Sequence, residues 1–244
     1  YLFSAGAYAE PAPLRVAAAA DLRLVLPLLV AEFQRHHALK VDIVYGSSGK
    51  LSQHIQMGAP FDLFVAADML YTQRLFNQGV TSTAGRHFAN GQLVLWSLKY
   101  DVRTLPLAAL EEPRFDHIAL ASPQHAPYGQ RAQQVLERAQ LWSTLQSKLV
   151  FGDNVGQATQ FVQSGAADVA FIARALVPHT QQNQPLGFSR PLATTEYSPL
   201  RQSLVLTRQG EHKLQAQQFA QFMVDSPVAA GLLQQYGFNT EALQ

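Results

Sequence analysis

The sequence predicts an α/β protein built as two lobes. Three observations carry this reading. Short apolar runs alternate with amphipathic segments from Leu14 almost to the C-terminus, the pattern of strands joined by crossover helices. The chain has 244 residues, 48% of them hydrophobic, which is enough for two lobes with substantial cores. No low-complexity linker or short-period repeat divides it. The lobes are therefore expected to share the chain through more than one crossing, near residues 92–98 and 190–204.

The elements follow in order. Leu14–Ala19 is small and apolar and reads as a strand. Asp21 then stands at a helix N-cap position, and Leu22, Val25, Leu26, Leu29 and Phe33 recur at helical spacing, which predicts a helix over Leu22–His37. Pro27, about a turn and a half in, is expected to kink or weaken it. Val41–Tyr45 reads as a strand, and "GSSGKLSQHIQMG" turns into a helix ending at Gly58. Leu63–Ala66 is a short strand, Met69–Gln78 a helix stopped by Gly79, and Leu93–Ser97 a further strand.

The second half repeats the theme. His117–Ala121 is a strand, "SPQHAPYGQ" a loop, and Arg131–Gln140 a helix. Leu149–Phe151 is a short strand, "GDNVGQATQFVQSG" a loop and helix, and Val169–Ile172 a strand. Residues 178–200, rich in Pro, Gln and Thr, read as loop. Ser203–Thr207 is a strand and Glu211–Val224 a helix. Ser226-Pro227 supplies an N-cap and a first-turn proline for a last helix reaching Gly237. This divides the chain into a first lobe of residues 10–92 plus 204–244 and a second of 93–203.

Composition excludes several classes. With 18 Lys+Arg against 17 Asp+Glu, there is no basic surplus for nucleic acid. Cysteine is absent, so disulfide and thiol chemistry are excluded. No apolar run is long enough for a membrane-spanning helix. The opening "YLFSAGAYAEPAP" is apolar and small, and "AYA" before Glu10 has the form of a signal-peptidase site. Residues 1–9 are read as the remnant of a secretion signal, and the mature protein as exported.

No nucleophile elbow, P-loop, dinucleotide fingerprint or H-E-x-x-H motif occurs. His36 and His37 read as helix-end chemistry, and Asp62 and Asp68 as turn and capping residues. Three strand-to-helix junctions remain as candidates: "GSSGK" (46–50), "HAPYGQ" (125–130) and "DNVGQA" (153–158). Each exposes backbone N–H groups at a helix start, where anions bind. The first adds serine hydroxyls and the second the Tyr128 phenol. Each also reads as an ordinary capped turn.

Taken together and in order, "VAAAADL", "YGSSGKLSQHIQMGAPFDLFVAAD", "GQLVLWS", "SPQHAPYG", "DNVGQA", "SGAADVAFIA" and "QQYGF" resemble the periplasmic molybdate-binding proteins of ABC transporters. "QHAPYG" and "DNVGQA" look most like the tungstate-studied branch of that family. The resemblance implies the type II, Venus-flytrap form of periplasmic binding protein. Each lobe would be a mixed, mostly parallel sheet flanked by helices, with a dehydrated tetrahedral oxyanion between the lobes. It places ligand contacts on Asp21 and Val155 through backbone N–H, on Ser48 through N–H and hydroxyl, on Tyr128 through its phenol, and on the neighbouring Ser47.

It also implies a periplasmic monomer whose partners are the oxyanion (molybdate or tungstate) and an inner-membrane ABC permease. No nucleic acid, cofactor, catalytic residue or direct cation ligand is implied. An enzyme built on Ser48, a His and Asp21, or a metal receptor using Asp21, lacks a supporting motif.

Two residues depart from the family. Ala173 stands where many members carry tyrosine, and Asp21 where they usually carry Ser or Asn. An ionised carboxylate has no proton to give and repels a dianion. Asp21 has three ways to fit. Its side chain caps its own helix, or pairs with Lys50 or another cation, or accepts from a protonated ligand. The third points to another specificity on the same fold: a phosphate-like acid oxyanion, sulfate, chromate or a small organic acid.

Overall fold

The protein is described here from a computed structural model over residues 12–179 and 184–240. The proposed secretion remnant at 1–9 lies outside the described residues.

Two five-stranded sheets organise the chain. The first contains β1 (Leu14–Ala19), β2 (Val41–Gly46), β3 (Leu63–Ala66), β4 (Arg86–Gly91) and β10 (Leu200–Leu206), in the order β2-β1-β3-β10-β4. The second contains β5 (Leu93–Ser97), β6 (Ile118–Ala121), β7 (Leu149–Gly152), β8 (Val169–Ala173) and β9 (Phe188–Pro191), in the order β7-β6-β8-β5-β9. In each sheet four strands run in one direction, and the strand that crosses from the other lobe runs antiparallel to both its neighbours.

Helices cover both sheets: α1 (Leu26–Gln34), α2 (Ser48–Gln56) and α3 (Met69–Asn77) on the first, α4 (Pro127–Arg138) and α5 (Val155–Gln163) on the second. Then α6 (Leu214–Asp225) and α7 (Pro227–Gln235) return to the first. Strands covered on both faces are apolar throughout. β3, β5, β6 and β8 accordingly bury every residue. Leu26, Leu29, Phe33 and Phe219 fill one face of the first sheet, and Phe64, Tyr71 and Leu75 the other. Trp96, Phe115 and Phe171 centre the second core.

The chain passes between sheets at Gln92 and again between Pro191 and Leu200. Residues 200–203, grouped from the sequence with the second lobe, thus run in the first sheet. Near the C-terminus, Asn239 forms a two-residue bridge with Asn90 beside the first passage.

Several elements differ from the sequence reading. The predicted helix over Leu22–His37 is a 3-10 turn at Ala20–Leu22 followed by α1 from Leu26. Pro27 therefore starts a helix rather than kinking one, because the first turn needs no proline N–H. Asp21 lies within the 3-10 turn and does not cap α1, whose N-cap is Val25. β4 carries "RHFANG" and β9 "FSRP", which lack the apolar run of a buried strand; tertiary pairing makes them strands at sheet edges. The helix expected at Arg131 begins at Pro127, whose fixed φ suits the first turn. The helix expected from Glu211 is a 3-10 turn at Gly210–His212 and then α6. Ser226 does cap α7, accepting from Val228 and Ala229 N–H.

Asp68 caps α3 by accepting from Leu70 N–H at 2.9 Å. Asp62 joins two distant segments. Its fully buried carboxylate accepts from Arg15 N–H and from Lys213 Nζ, each at 2.9 Å. Asp62→Ala orphans the first donor and unpairs the second, and should lower the unfolding free energy by roughly 2–3 kcal/mol. Urea denaturation checks this, and a loss below about 0.5 kcal/mol would contradict the assigned role.

Candidate functional site

Parallel α/β sheets present ligand crevices at the carboxyl ends of their strands. Here β1, β2, β6 and β7 each end in a junction facing the other lobe, followed by the 3-10 turn, α2, α4 and α5. These junctions border a small crevice, with about 10 Å³ open to the centre of a water-sized sphere. Asp21, Ser47, Ser48, Tyr128 and Val155 all line it, with Ala19, Ala67 and Asn154 among their neighbours. All five sequence-predicted residues thus come together at one place between the lobes.

The donors there are unusual in having spare protons. Ser48 Oγ accepts from Ala67 N–H at 3.0 Å, so its own hydroxyl proton remains to be given. Ser48 is the first residue of α2 and Val155 the first of α5, and neither backbone N–H has an intrahelical acceptor. Asn154 caps α5 by accepting from Gln157 N–H, which leaves the Val155 N–H free for the cavity. Tyr128 Oη is fully buried without a hydrogen-bond partner.

Ser47 is committed differently. Its Oγ accepts from Lys50 N–H at 3.4 Å and lies 2.9 Å from His125 Nδ1, across the lobe boundary. Burial, then the Lys50 charge, lowers the His125 pKa, so the ring is neutral and its Nδ1 can accept from the Ser47 hydroxyl. Ser47 therefore lines the cavity but directs its side chain to lobe closure.

Asp21 is fully buried. Its Oδ2 accepts from Gln202 Nε2 at 2.6 Å, and its Oδ1 has no partner. Lys50 does not reach it: that ammonium pairs with Asp153 at 2.8 Å, so the ion-pair explanation of Asp21 is overturned. Burial raises the Asp21 pKa to about 6, against smaller lowering effects from Gln202, the nearby Tyr128 hydroxyl and the N–H groups of Asp21 and Leu22. Tyr128 is in turn raised well above its usual value, first by burial and then by Asp21.

Gln202 is the residue that sequence reasoning missed. The pairing of β10 with β4 shifts register between Gln202 and Ser203, a bulge that sets this side chain against Asp21. The signal was present: the polar run "RQS" stands before the apolar "LVL" in one strand. Gly91, at the end of β4, is the other missed residue. A Cβ there would collide with Tyr128 Oη and crowd Gln202 Nε2.

The lobes are bonded together around the cavity. Gly49 N–H donates to His125 O at 2.9 Å, and a side chain at Gly49 would strike that carbonyl. Gln130 Nε2 reaches Tyr71 Oη at 3.4 Å. Arg131, on α4, forms a buried ion pair with Asp68 and also donates to the Ser198 and Pro199 carbonyls of the second passage. Among the described residues no group of three or more His, Asp or Glu side chains is arranged to hold a metal. No described helix is long and apolar enough to cross a membrane.

The family model for bacterial extracellular solute-binding proteins matches residues 14–239. The chain belongs to that family. It is 32% identical over 234 residues to the molybdate-binding protein ModA of Azotobacter vinelandii, covering 96% of this chain and 92% of the relative. It is 32% identical over 203 residues to ModA of Rhodobacter capsulatus, covering 82% and 78%. The solved structure of the Azotobacter vinelandii periplasmic molybdate-binding protein superposes with a TM-score of 0.86 over 92% of this chain and 98% of that one. The two-lobed solute-receptor fold is therefore shown, and with it a solute-binding role.

A carboxyl with a folded-state pKa above its unfolded value stabilises the fold at low pH, and that contribution is lost as pH rises through the folded pKa. Asp21 moves from 3.8 to about 6. Without oxyanion, the stability of the wild type relative to Asp21→Asn should fall by up to about 3 kcal/mol between pH 4 and pH 7. Urea titrations of both proteins across that range check this; parallel curves would contradict it.

Proposed function

We propose that the chain is a periplasmic receptor that binds molybdate or tungstate and delivers it to an ABC permease of the inner membrane. The observation that carries this is the convergence of Ser48, Tyr128, Val155 and Asp21 on one small crevice between the lobes. A molybdate dianion offers four acceptor oxygens and no protons. The Ser48 hydroxyl and N–H, the Val155 N–H and the Tyr128 phenol supply neutral donors, and helix starts favour negative charge. Burial between lobes strengthens each bond by excluding water. The names carried by the Azotobacter and Rhodobacter relatives support the same ligand.

Sulfate and molybdate present the same acceptor pattern, so size is the basis on which the site distinguishes them. The protein acts as a monomeric binding module, without a cofactor and without catalysis. Release follows opening of the lobes at the permease.

Calorimetric titration with molybdate, tungstate, sulfate, phosphate and chromate tests the reading. Molybdate and tungstate should bind most tightly. Molybdate binding no better than phosphate would overturn the proposed ligand. Ser48→Ala removes a hydroxyl donor to a charged ligand and should weaken molybdate binding roughly 10- to 100-fold.

A further inference from the structure

The chemistry still unexplained is at Asp21. An oxyanion in the cavity would lie against a carboxyl whose Oδ1 is buried and unpartnered, while Oδ2 is held by Gln202. Among the described residues no cation is placed to neutralise it. Lys50 is paired with Asp153, Arg131 with Asp68, and Arg174 with the Gln92 side chain. Arg23 lies over the Tyr45 ring at 5.2 Å, and His125 is bonded to Ser47. Tyr128, the titratable group that faces Asp21 directly, is neutral.

We infer that Asp21 is the proton-carrying ligand of the cavity: each fully deprotonated oxyanion enters with one proton, which resides on Asp21 and makes the carboxyl a hydrogen-bond donor to the anion. This rests on the receptor reading above. The proton comes from solvent and forms an O–H bond at Oδ1; no other bond changes. An ionised carboxylate and a dianion in contact, away from water, repel strongly. Burial already brings this group to about 6, and contact with a dianion raises it further, well above neutral pH. Gln202 fixes the roles of the two oxygens: its Nε2 donates to Oδ2, which leaves Oδ1 to carry the proton. Asp21 thus supplies the same kind of donor as an amide or hydroxyl would, but only with a proton bound.

The consequence is linkage between affinity and pH. Above the free-state pKa and below the bound-state one, affinity should fall tenfold for each unit rise in pH. Below the free-state pKa it should level off. An anion that brings its own proton, such as hydrogen phosphate, needs no uptake and would instead donate to an ionised Asp21.

The test is calorimetry of the whole protein with molybdate at pH 6, 7 and 8, in buffers of different ionisation enthalpy, which counts protons directly. Uptake should approach one proton per molybdate at pH 8 and decrease towards pH 6, with Kd rising close to tenfold from pH 7 to 8. Asp21→Asn, which donates without a proton, should bind molybdate with a flat pH profile and no uptake. Asp21→Ser should be equally flat. Molybdate binding by the wild type with no uptake and no pH slope overturns this inference and leaves the receptor reading standing. Phosphate preferred over molybdate at pH 8, without uptake, overturns it in favour of a protonated ligand. Absence of binding to both molybdate and tungstate at every pH overturns the receptor reading, and this inference with it. The proton count requires no variant, so a substitution that fails to fold leaves the test intact.

Discussion

Buried backbone N–H groups need acceptors, and at the starts of α2 and α5 the protein supplies none for Ser48 and Val155. The architecture follows from bringing such groups to one point from two separate sheets. Parallel strands β1, β2, β6 and β7 end at the lobe boundary and so deliver their helix starts there. The junction residues Ala19 and Ala67 are accordingly small, which leaves open the space into which the N–H groups point. On the receptor reading the missing acceptor is the ligand itself. Affinity, and the ligand's share in lobe closure, derive from that deficit.

Closure also has protein contacts of its own. The Gly49–His125 bond, the Ser47–His125 pair and the Asp68–Arg131 ion pair all join the lobes without passing through the cavity. Breaking a buried ion pair leaves charges uncompensated, whereas replacing it with apolar groups can be neutral. Arg131 adds bonds to Ser198 and Pro199, so it couples closure to the second passage. Gln202 lies just beyond that passage on β10 and holds Asp21. Hinge, latch and cavity are therefore connected through a short stretch of chain.

Much of this was legible in the sequence, and for identifiable reasons. Val169–Ile172 and Leu63–Ala66 announced themselves because doubly covered strands are apolar at every position. Ser226-Pro227 announced a helix start because capping chemistry is local. β4 and β9 were not legible, since edge strands owe their conformation to partners far along the chain. Pro27 was misread because its meaning depends on where the helix starts, and the 3-10 turn before it moved that start to Leu26. At the site, the junction motifs brought the five lining residues into view. The partners of Asp21 stayed hidden because Gln202 is 181 residues away and aimed by a bulge. Gly91 reads as an ordinary turn residue until the Tyr128 hydroxyl is seen against it.

The most direct test of the central claim is the position of the ion. Anomalous scattering at the molybdenum edge, from crystals grown with molybdate, locates it without assumptions about the protein. The account predicts a single strong peak between the lobes, within hydrogen-bonding reach of Ser48, Tyr128 and Val155 and beside Asp21. A peak elsewhere on the molecule, or none under saturating molybdate, would contradict it.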